Sequence, residues 1–376
     1  MRTQAAVLYE MGKPRPYADS TPLVIDDLEL EGPGPGEVLV EVASAGLCHS
    51  DLSTINGSRP RPLPMVLGHE ASGIVREVGA GVTDVDVDDP VVFSFVPTCG
   101  RCPCCAAGRS ALCERGAAAN GAGTLLSGGV RFRRGGSPVL HHLGVSGFSR
   151  YTVAAQESLV RIDRAMPIEQ AALFGCAVLT GIGAVANAAR VMPGQSVAVF
   201  GLGGVGLSAI MGAKLAGAST IIAVDPLPAK LALARRLGAQ HVVNPREADA
   251  AQTIADLTAG GVDVAIEAVG SAAVLAVAYA AARRGGMTVT VGLPDPKEQL
   301  SIPALSLAAQ EKVLRGSYMG SAVPRQDIPR LIDLYLRGKL PVDELISRSV
   351  SLKDINVGFD RLSDGAAVRQ LVRFDS

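Results

Sequence analysis

The sequence predicts an α/β protein with two architectures in one chain: a mostly-β first part, then a doubly wound parallel sheet covered by helices on both faces. Two observations carry this. Up to about residue 178 the apolar runs are short and broken by Gly and Pro, as in EVLVEVASAG (37–46), ASGIVREVGAGV (71–82), DPVVFSF (89–95) and SRYTVAA (149–155), the texture of short strands bounded by turns. Beyond Cys176, wholly apolar strands alternate with helical stretches, which is how a parallel sheet buried on both faces reads.

The second part divides in order. Strands are expected at SVAVF (196–200), TIIAVD (220–225), HVVN (241–244), VDVAIEAVG (262–270), MTVTVG (287–292) and KVLRGSYM (312–319), with helices such as VGLSAIMGAKLAGA and PAKLALARRLG between them. Six strands of this kind fit the two βαβαβ halves of a dinucleotide-binding fold. From about 322 a helix, PRLIDLYLRG, and a closing strand, VRQLVRF, read as a return to the first domain. The expected boundaries are 1–178, 179–321 and 322–376, and there is no internal repeat of 20–50 residues.

Composition narrows the class. The 376 residues are 48% hydrophobic, enough for a large core and usually two domains. The formal net charge is −1, from 35 basic and 36 acidic residues, so there is no electrostatic footprint for nucleic acid or a membrane surface. No apolar run reaches the roughly 20 residues that span a bilayer. The start, MRTQAAVLYE, lacks a basic stretch followed by an apolar run, so export is not expected, and a cytoplasmic protein with a small-molecule partner is.

Five of the seven cysteines fall between Cys99 and Cys113, in CGRCPCCAAGRSALC. Cys99, Cys102, Cys105 and Cys113 form a C-x2-C-x2-C-x7-C ladder, enough thiolates to close a tetrahedral zinc site with no open position. Such a site is structural. Disulfides, which need an oxidising compartment, and an iron-sulfur cluster are the competing readings. Cys104 is the spare.

Gly201-Leu202-Gly203-Gly204-Val205-Gly206 follows SVAVF directly and opens a helix. Gly201, Gly203 and Gly206 then serve a tight turn, close approach of a pyrophosphate, and close packing of helix on strand. Asp225, 19 residues beyond Gly206, ends the next strand, where a carboxylate holds both ribose hydroxyls and repels a 2′-phosphate, so NAD is expected over NADP. Lys230 offers a further ribose or phosphate contact, though a solvated helix lysine reads equally well.

Cys48 in GLCHSD, His69 in LGHE beside Glu70, and Cys176 in LFGCAV are far apart, and spacing alone does not bring them together. Their neighbours argue that they meet. Two thiolates and one imidazole hold zinc and leave a fourth position open, and an open zinc is a Lewis acid toward an alcohol hydroxyl that readies it to give hydride to a nicotinamide. Taken singly, Cys176 is more often a buried apolar thiol and His69 a satisfied histidine.

These motifs resemble the zinc-dependent medium-chain alcohol dehydrogenases over essentially the whole chain. GLCHSD, GHEASGIVREVGAGV, the cysteine ladder, GVSGFSRYTV, FGCAVLTGIGA and VAVFGLGGVGLSAI follow one another in the family's order. The resemblance implies a GroES-like catalytic domain plus a Rossmann coenzyme domain, with hydride transfer in the interdomain cleft. It implies NAD and two zinc ions per chain, catalytic at Cys48, His69 and Cys176 and structural in the lobe. By the same resemblance Glu70 is a transient extra ligand, Asp51 steadies His69, and Ser50 takes the alcohol proton. The histidine that in many relatives passes this proton to solvent is Ser53 here, which shortens the relay. His49 and Arg369 are implied at the pyrophosphate, Thr180 and Val205 against the nicotinamide ring, backbone at Ser317 and Met319 on its carboxamide, and Phe95 in the substrate channel. The long segment 114–150, including RFRRGGSPVLHHLG, is similar to the dimeric branch and favours a homodimer. Primary alcohols, aromatic ones included, are the expected substrates. The glutathione-dependent formaldehyde branch is the alternative; it places an arginine where this chain has Ala117 and an acid near Arg59, so it is disfavoured.

Overall fold

In the computed structural model, which describes residues 1–374, the chain divides into two compact units. One contains Met1–Cys176 with the segment from Val323 onward, and the other is Ala177–Ala322.

The first unit is built on two β layers. A closed barrel contains Arg2–Leu8, Leu23–Leu30, Phe132–Arg134, Ser137–His141 and Met65–Val66. Its interior is apolar, with Ala5, Val7, Leu28, Val66, Leu125, Phe132 and Val139 packed together. The second layer is a seven-stranded sheet centred on Glu37–Gly46. That strand pairs antiparallel with Ala71–Val78, Tyr151–Ala155 and Arg369–Arg373. The closing strand therefore returns to the first unit: Leu371 lies opposite Gly46, two residues before Cys48.

Glu37, at the start of the central strand, is 1% exposed. Its carboxylate accepts hydrogen bonds from Arg131 Nε (2.7 Å), Ser127 Oγ (2.6 Å) and the Gly34 N–H (2.9 Å). Burial pushes its pKa up, but these donors outweigh it and hold the group below its ordinary 4.5. The bonds tie the long 123–131 connection to the sheet. Glu37→Gln is expected to cost roughly 1–3 kcal/mol, as when a buried group loses its charge-assisted hydrogen bonds. Because the folded-state pKa is the lower one, this stability is fully present above about pH 5 and is lost as pH falls below 4.5. Thermal melts of both proteins across that range would check the effect; an equal gap at every pH would rule out the ion pair as its source.

The second unit is the expected doubly wound sheet. Its six strands are all parallel, in the order His241–Val243, Thr220–Val224, Ser196–Phe200, Val262–Glu267, Ala282–Thr290, Val313–Gly316. Relative to chain order this is 3-2-1-4-5-6, the dinucleotide-binding arrangement. Ala198, Phe200, Ile222, Val224, Ile254 and Ala265 form part of its core.

Several boundaries differ from expectation. The fifth strand starts at Ala282, not Met287, and its pairing with Val262–Glu267 shifts register between Val262 and Val264. The Arg-Arg-Gly-Gly run before Met287 forms a bulge, with Gly285 at φ +69°. The sixth strand stops at Gly316, because Met319 adopts φ +51° within the turn Tyr318–Ser321. The C-terminal helix runs Pro324–Leu336, with Pro329 inside it. Pro324 occupies a first-turn position, where a missing N–H costs nothing, so Pro329 marks no start. Among the described residues no single helix is long and apolar enough to cross a membrane.

Candidate active site

Three side chains of the first unit converge. The Cys48 and Cys176 sulfurs and a His69 ring nitrogen all lie within 4.8 Å of one another and are buried. Cys48 immediately precedes the helix His49–Ile55. Cys176 breaks the chain at φ −140°, ψ −77° after the turn Ala172–Gly175. A Cβ on Gly175 would strike the Phe93 carbonyl, so only glycine lets this segment approach that strand so closely. His69 follows Gly68, whose φ of +92° and contact with the Phe148 backbone likewise require glycine.

The donors fit zinc. Cys176 Sγ lies 3.5 Å from His69 Nε2, and tetrahedral bonds of about 2.3 Å to sulfur and 2.0 Å to nitrogen put such atoms about 3.5 Å apart. The Cys48 thiol is held well below its usual range because Cys176 donates to its sulfur, with Arg369 and His69 adding positive charge against the cost of burial. The site thus favours a thiolate at Cys48, the form that binds metal.

Asp51 stands behind His69 and is wholly buried. Its Oδ1 is 3.1 Å from His69 Nδ1 and accepts the Gly68 N–H at 3.1 Å. This bond places the ring proton on Nδ1 and leaves Nε2 to face the sulfurs. Burial opposes ionisation, but His69 and His142 hold the carboxyl far below the ordinary range.

Glu70, the next carboxylate along, behaves oppositely. It is also fully buried, and neither oxygen has a hydrogen-bond partner. Arg369 Nε stands 3.6 Å away. Desolvation dominates and raises Glu70 to about 7, while Arg369 limits the rise. Its space exists because residue 46 is glycine: a Cβ there would overlap the Glu70 carboxylate. Arg369 is itself 3% exposed.

Ser50 is half-buried on the exposed side of the same helix, and the Ser53 hydroxyl donates to the His49 carbonyl at 2.8 Å. The hydroxyl at 53 is therefore tied back to its own helix. Phe95 packs edge-on against His69 with ring centroids 5.5 Å apart. Arg61 donates to the Asn120 carbonyl at 3.1 Å. His142, in the HHLG run, lies against Asp51 and was not singled out from the sequence; two adjacent histidines in an apolar segment were its one signal.

The lobe cysteines also meet. Cys99, Cys102, Cys105 and Cys113 have all four sulfurs within 4.8 Å of one another. The backbone N–H groups of Cys99 and Gly116 point at Cys113 Sγ, each at 3.3 Å, and those of Cys105 and Glu114 bring the Cys102 thiol down to about 6. Four sulfurs with amide donors behind them suit a closed zinc site. Cys104 points elsewhere, toward Glu114 Oε1 at 3.9 Å.

In the second unit the glycine loop has the mechanical features its fingerprint requires. Gly201 has φ +87°, and a Cβ on Gly206 would collide with the Gly201 carbonyl. Around Gly203 a Cβ would meet nothing within 4 Å. That leaves open backbone at the start of the 12-residue helix Gly204–Leu215, where an anionic phosphate is stabilised. Asp225 is 5% exposed and accepts the Leu202 N–H at 2.8 Å and the Leu227 N–H at 2.9 Å. It therefore ties the glycine loop to the loop that opens the helix Pro228–Leu237, which carries half-buried Lys230. Thr180 lies on the helix Ala177–Gly183, half-buried Val205 in the first turn of Gly204–Leu215, and Met319 in the Tyr318–Ser321 turn. The Ser317 N–H is used by the Thr290 carbonyl at 2.9 Å.

Residues 34–164 match the alcohol dehydrogenase GroES-like domain and residues 204–337 the zinc-binding dehydrogenase family. The chain is 39% identical over 378 residues to S-(hydroxymethyl)glutathione dehydrogenase of Synechocystis sp., covering 100% of both. Among solved structures, benzyl alcohol dehydrogenase from Acinetobacter calcoaceticus is 34% identical with a TM-score of 0.93, again over 100% of both chains. A zinc-binding dehydrogenase from Sinorhizobium meliloti 1021, solved with NADP, is 28% identical with a TM-score of 0.81, over 99% of both. Full-length identity at this level, joined to a Cys-His-Cys cluster, a four-cysteine lobe and a glycine loop in their places, makes this chain a member of the zinc-dependent medium-chain alcohol dehydrogenase family, an oxidoreductase interconverting alcohols and aldehydes or ketones.

Proposed function

We propose that the protein is an NAD-dependent dehydrogenase of primary alcohols, with aromatic alcohols among its substrates. The observation that carries this reading is the buried Cys48–His69–Cys176 cluster, three donors that leave a tetrahedral ion one open position. When bound there, zinc supplies Lewis acidity toward the substrate hydroxyl.

The remaining roles belong to the chain itself. Asp51 holds His69 in the tautomer that presents Nε2. Phe95, edge-on to His69, gives the substrate an apolar wall that excludes water. Ser50 would take the hydroxyl proton, and a nicotinamide bound in the second unit would supply the hydride acceptor; the Ser53 hydroxyl, bonded to the His49 carbonyl, is tied back to its own helix. Asp225 selects NAD by repelling a 2′-phosphate. Lys230 and Arg369 contribute positive charge toward the cofactor phosphates, and the Ser317 and Met319 backbone takes the carboxamide.

The lobe zinc is structural in this reading. Compartment and assembly are also proposals: a cytoplasmic enzyme, acting as a homodimer through the outer strand Val313–Gly316. Val313 on that strand and Leu305 and Leu307 on the preceding helix Ala304–Ala309 are 39%, 79% and 41% exposed, apolar surface that a second copy would cover.

The likeness to benzyl alcohol dehydrogenase favours an aromatic alcohol, while the likeness to S-(hydroxymethyl)glutathione dehydrogenase favours a thiol adduct. Ala117 argues for the first, because it offers no cation to a glutathione carboxylate. An absorbance screen at the NADH band, over aliphatic, benzylic and hydroxy-acid alcohols with and without glutathione, separates them. Benzylic turnover without thiol is expected; turnover of formaldehyde only when glutathione is present would establish the alternative.

A further inference from the structure

Behind the proposed zinc ligands, a single carboxylate oxygen serves two imidazoles. Asp51 Oδ1 lies 3.1 Å from His69 Nδ1 and 3.2 Å from His142 Nδ1. The two rings stand edge to face, centroids 5.7 Å apart at 89°. All three residues are at most 1% exposed. The Oδ2 atom of Asp51 has no hydrogen-bond partner, so Oδ1 carries the entire interaction, including the Gly68 N–H.

His142 is built to reach this oxygen. It follows the barrel strand Ser137–His141, and the turn after it is held by hydrogen bonds from the Val145 and Ser146 N–H groups to the His142 carbonyl, at 3.0 and 3.2 Å. The Ser146 hydroxyl accepts the His142 N–H at 3.1 Å. The backbone is therefore pinned from both sides, which fixes where the ring points. Its Nδ1 approaches Asp51 off the line of an ideal hydrogen bond and meets no other partner. A buried imidazole nitrogen with no alternative partner is costly to desolvate, so the contact has a purpose other than filling space.

The chemical consequence follows from competition for one oxygen. A lone carboxylate accepting from His69 pulls strongly on the Nδ1 proton and makes Nε2 more basic. A second N–H on the same oxygen withdraws part of that charge and fixes the plane of the carboxylate. Resting on the zinc reading above, we propose that His142 is a positioning residue. Through the shared Asp51 oxygen it sets the orientation and donor strength of His69, and so the hold of the Cys48–His69–Cys176 site on its metal.

The test uses full-length protein loaded with cobalt(II), with His142→Leu and His142→Asn compared with wild type. Asn carries an amide N–H near the position of Nδ1, whereas Leu fills volume without a donor. Release of metal from the Cys-His-Cys site to a chromophoric chelator is expected to change about tenfold or more in His142→Leu, with a shift of the cobalt d–d bands. His142→Asn is expected to stay near wild type in both. Three results would overturn the proposal: both variants matching wild type, both departing equally, or His142→Leu losing only thermal stability while spectrum and release rate hold. Should His142→Leu fail to fold, His142→Asn against His142→Gln, whose amide sits one methylene further out, gives the same contrast. If wild-type protein takes up cobalt only in the four-cysteine lobe, the zinc reading itself fails, a result distinct from the others.

Discussion

Replacing Cys176 by serine is expected to leave one zinc per chain in place of two and to lower turnover roughly a thousandfold or more. A serine hydroxyl is a far poorer ligand than a thiolate, and the two donors that remain, Cys48 and His69, do not close three corners of a tetrahedron. Lewis-acid stabilisation of the reacting oxygen is worth several kcal/mol, and about 4 kcal/mol is three decades in rate. NADH binding, followed by its fluorescence, is expected to survive, since Gly201, Gly203, Gly206 and Asp225 belong to the other unit. Metal analysis beside initial rates checks both halves. Two retained zinc ions with undiminished activity would remove Cys176 from the ligand set. The matching change in the lobe, Cys113→Ser, should also cost one zinc but show itself first as lost thermal stability, because the backbone N–H groups of Cys99 and Gly116 would lose the sulfur they point at.

The second large effect concerns the cofactor. Asp225→Gly is expected to weaken NAD by roughly 10- to 100-fold, the range of a lost hydrogen bond to a charged group at 1.5–3 kcal/mol. NADP should lose less or gain, because the negative charge facing a 2′-phosphate is gone, so the preference ratio should narrow by more than the NAD loss alone. The structure adds a complication that matters for the design of the experiment. Asp225 also accepts the Leu202 and Leu227 N–H groups, so glycine frees the glycine loop as well as removing charge. Asp225→Asn is the companion variant, since its amide keeps an acceptor for one of those donors while removing charge. A shift in cofactor preference seen in both variants belongs to the charge; one seen only with glycine belongs to the loop. KM for NAD and for NADP, measured for each protein, decides between them. Unchanged preference in both would place cofactor selection on other residues.

How far these sites could be read from the sequence depended on how local each one is. The glycine loop was legible because each requirement acts within a few residues: the positive φ of Gly201 and the contact between Gly206 and the Gly201 carbonyl are features of one turn. The lobe was legible for the same reason, four cysteines within 15 residues. The doubly wound sheet was legible because strands buried on both faces must be apolar throughout. Errors fell where tertiary contact overrides a local signal. Gly285 and Gly286 lie outside the strand expected at 287–292 but belong to it, in a bulge between the pairs Val262–Ala282 and Val264–Met287. Pro329 reads as a helix start, yet the helix begins five residues earlier.

The three donors of the reaction site were of another kind. Nothing in the separations of Cys48, His69 and Cys176 encodes their meeting, and in the sequence only their neighbouring motifs and the family resemblance joined them. Folding joins them through glycines at 68 and 175, which permit backbone approaches that any Cβ would block. His142 had no such resemblance to carry it, and only the barrel turn revealed its contact with Asp51.

By itself, then, the sequence determined the parallel sheet, the glycine-loop turn and the clustering of four cysteines in one lobe, because those depend on residues a turn or a strand apart. It also supplied two carboxylates, Asp51 and Glu70, in neighbouring motifs with nothing to tell their states apart. Tertiary structure alone decided between them. Asp51 meets Gly68, His69 and His142 and stays ionised, whereas Glu70 is buried with both oxygens unpartnered beside Arg369 and is pushed up to about 7. The reason is physical: in a dry interior the charge on a carboxylate is set by how many donors other segments of the chain bring within reach, and that number is fixed only when the chain has folded.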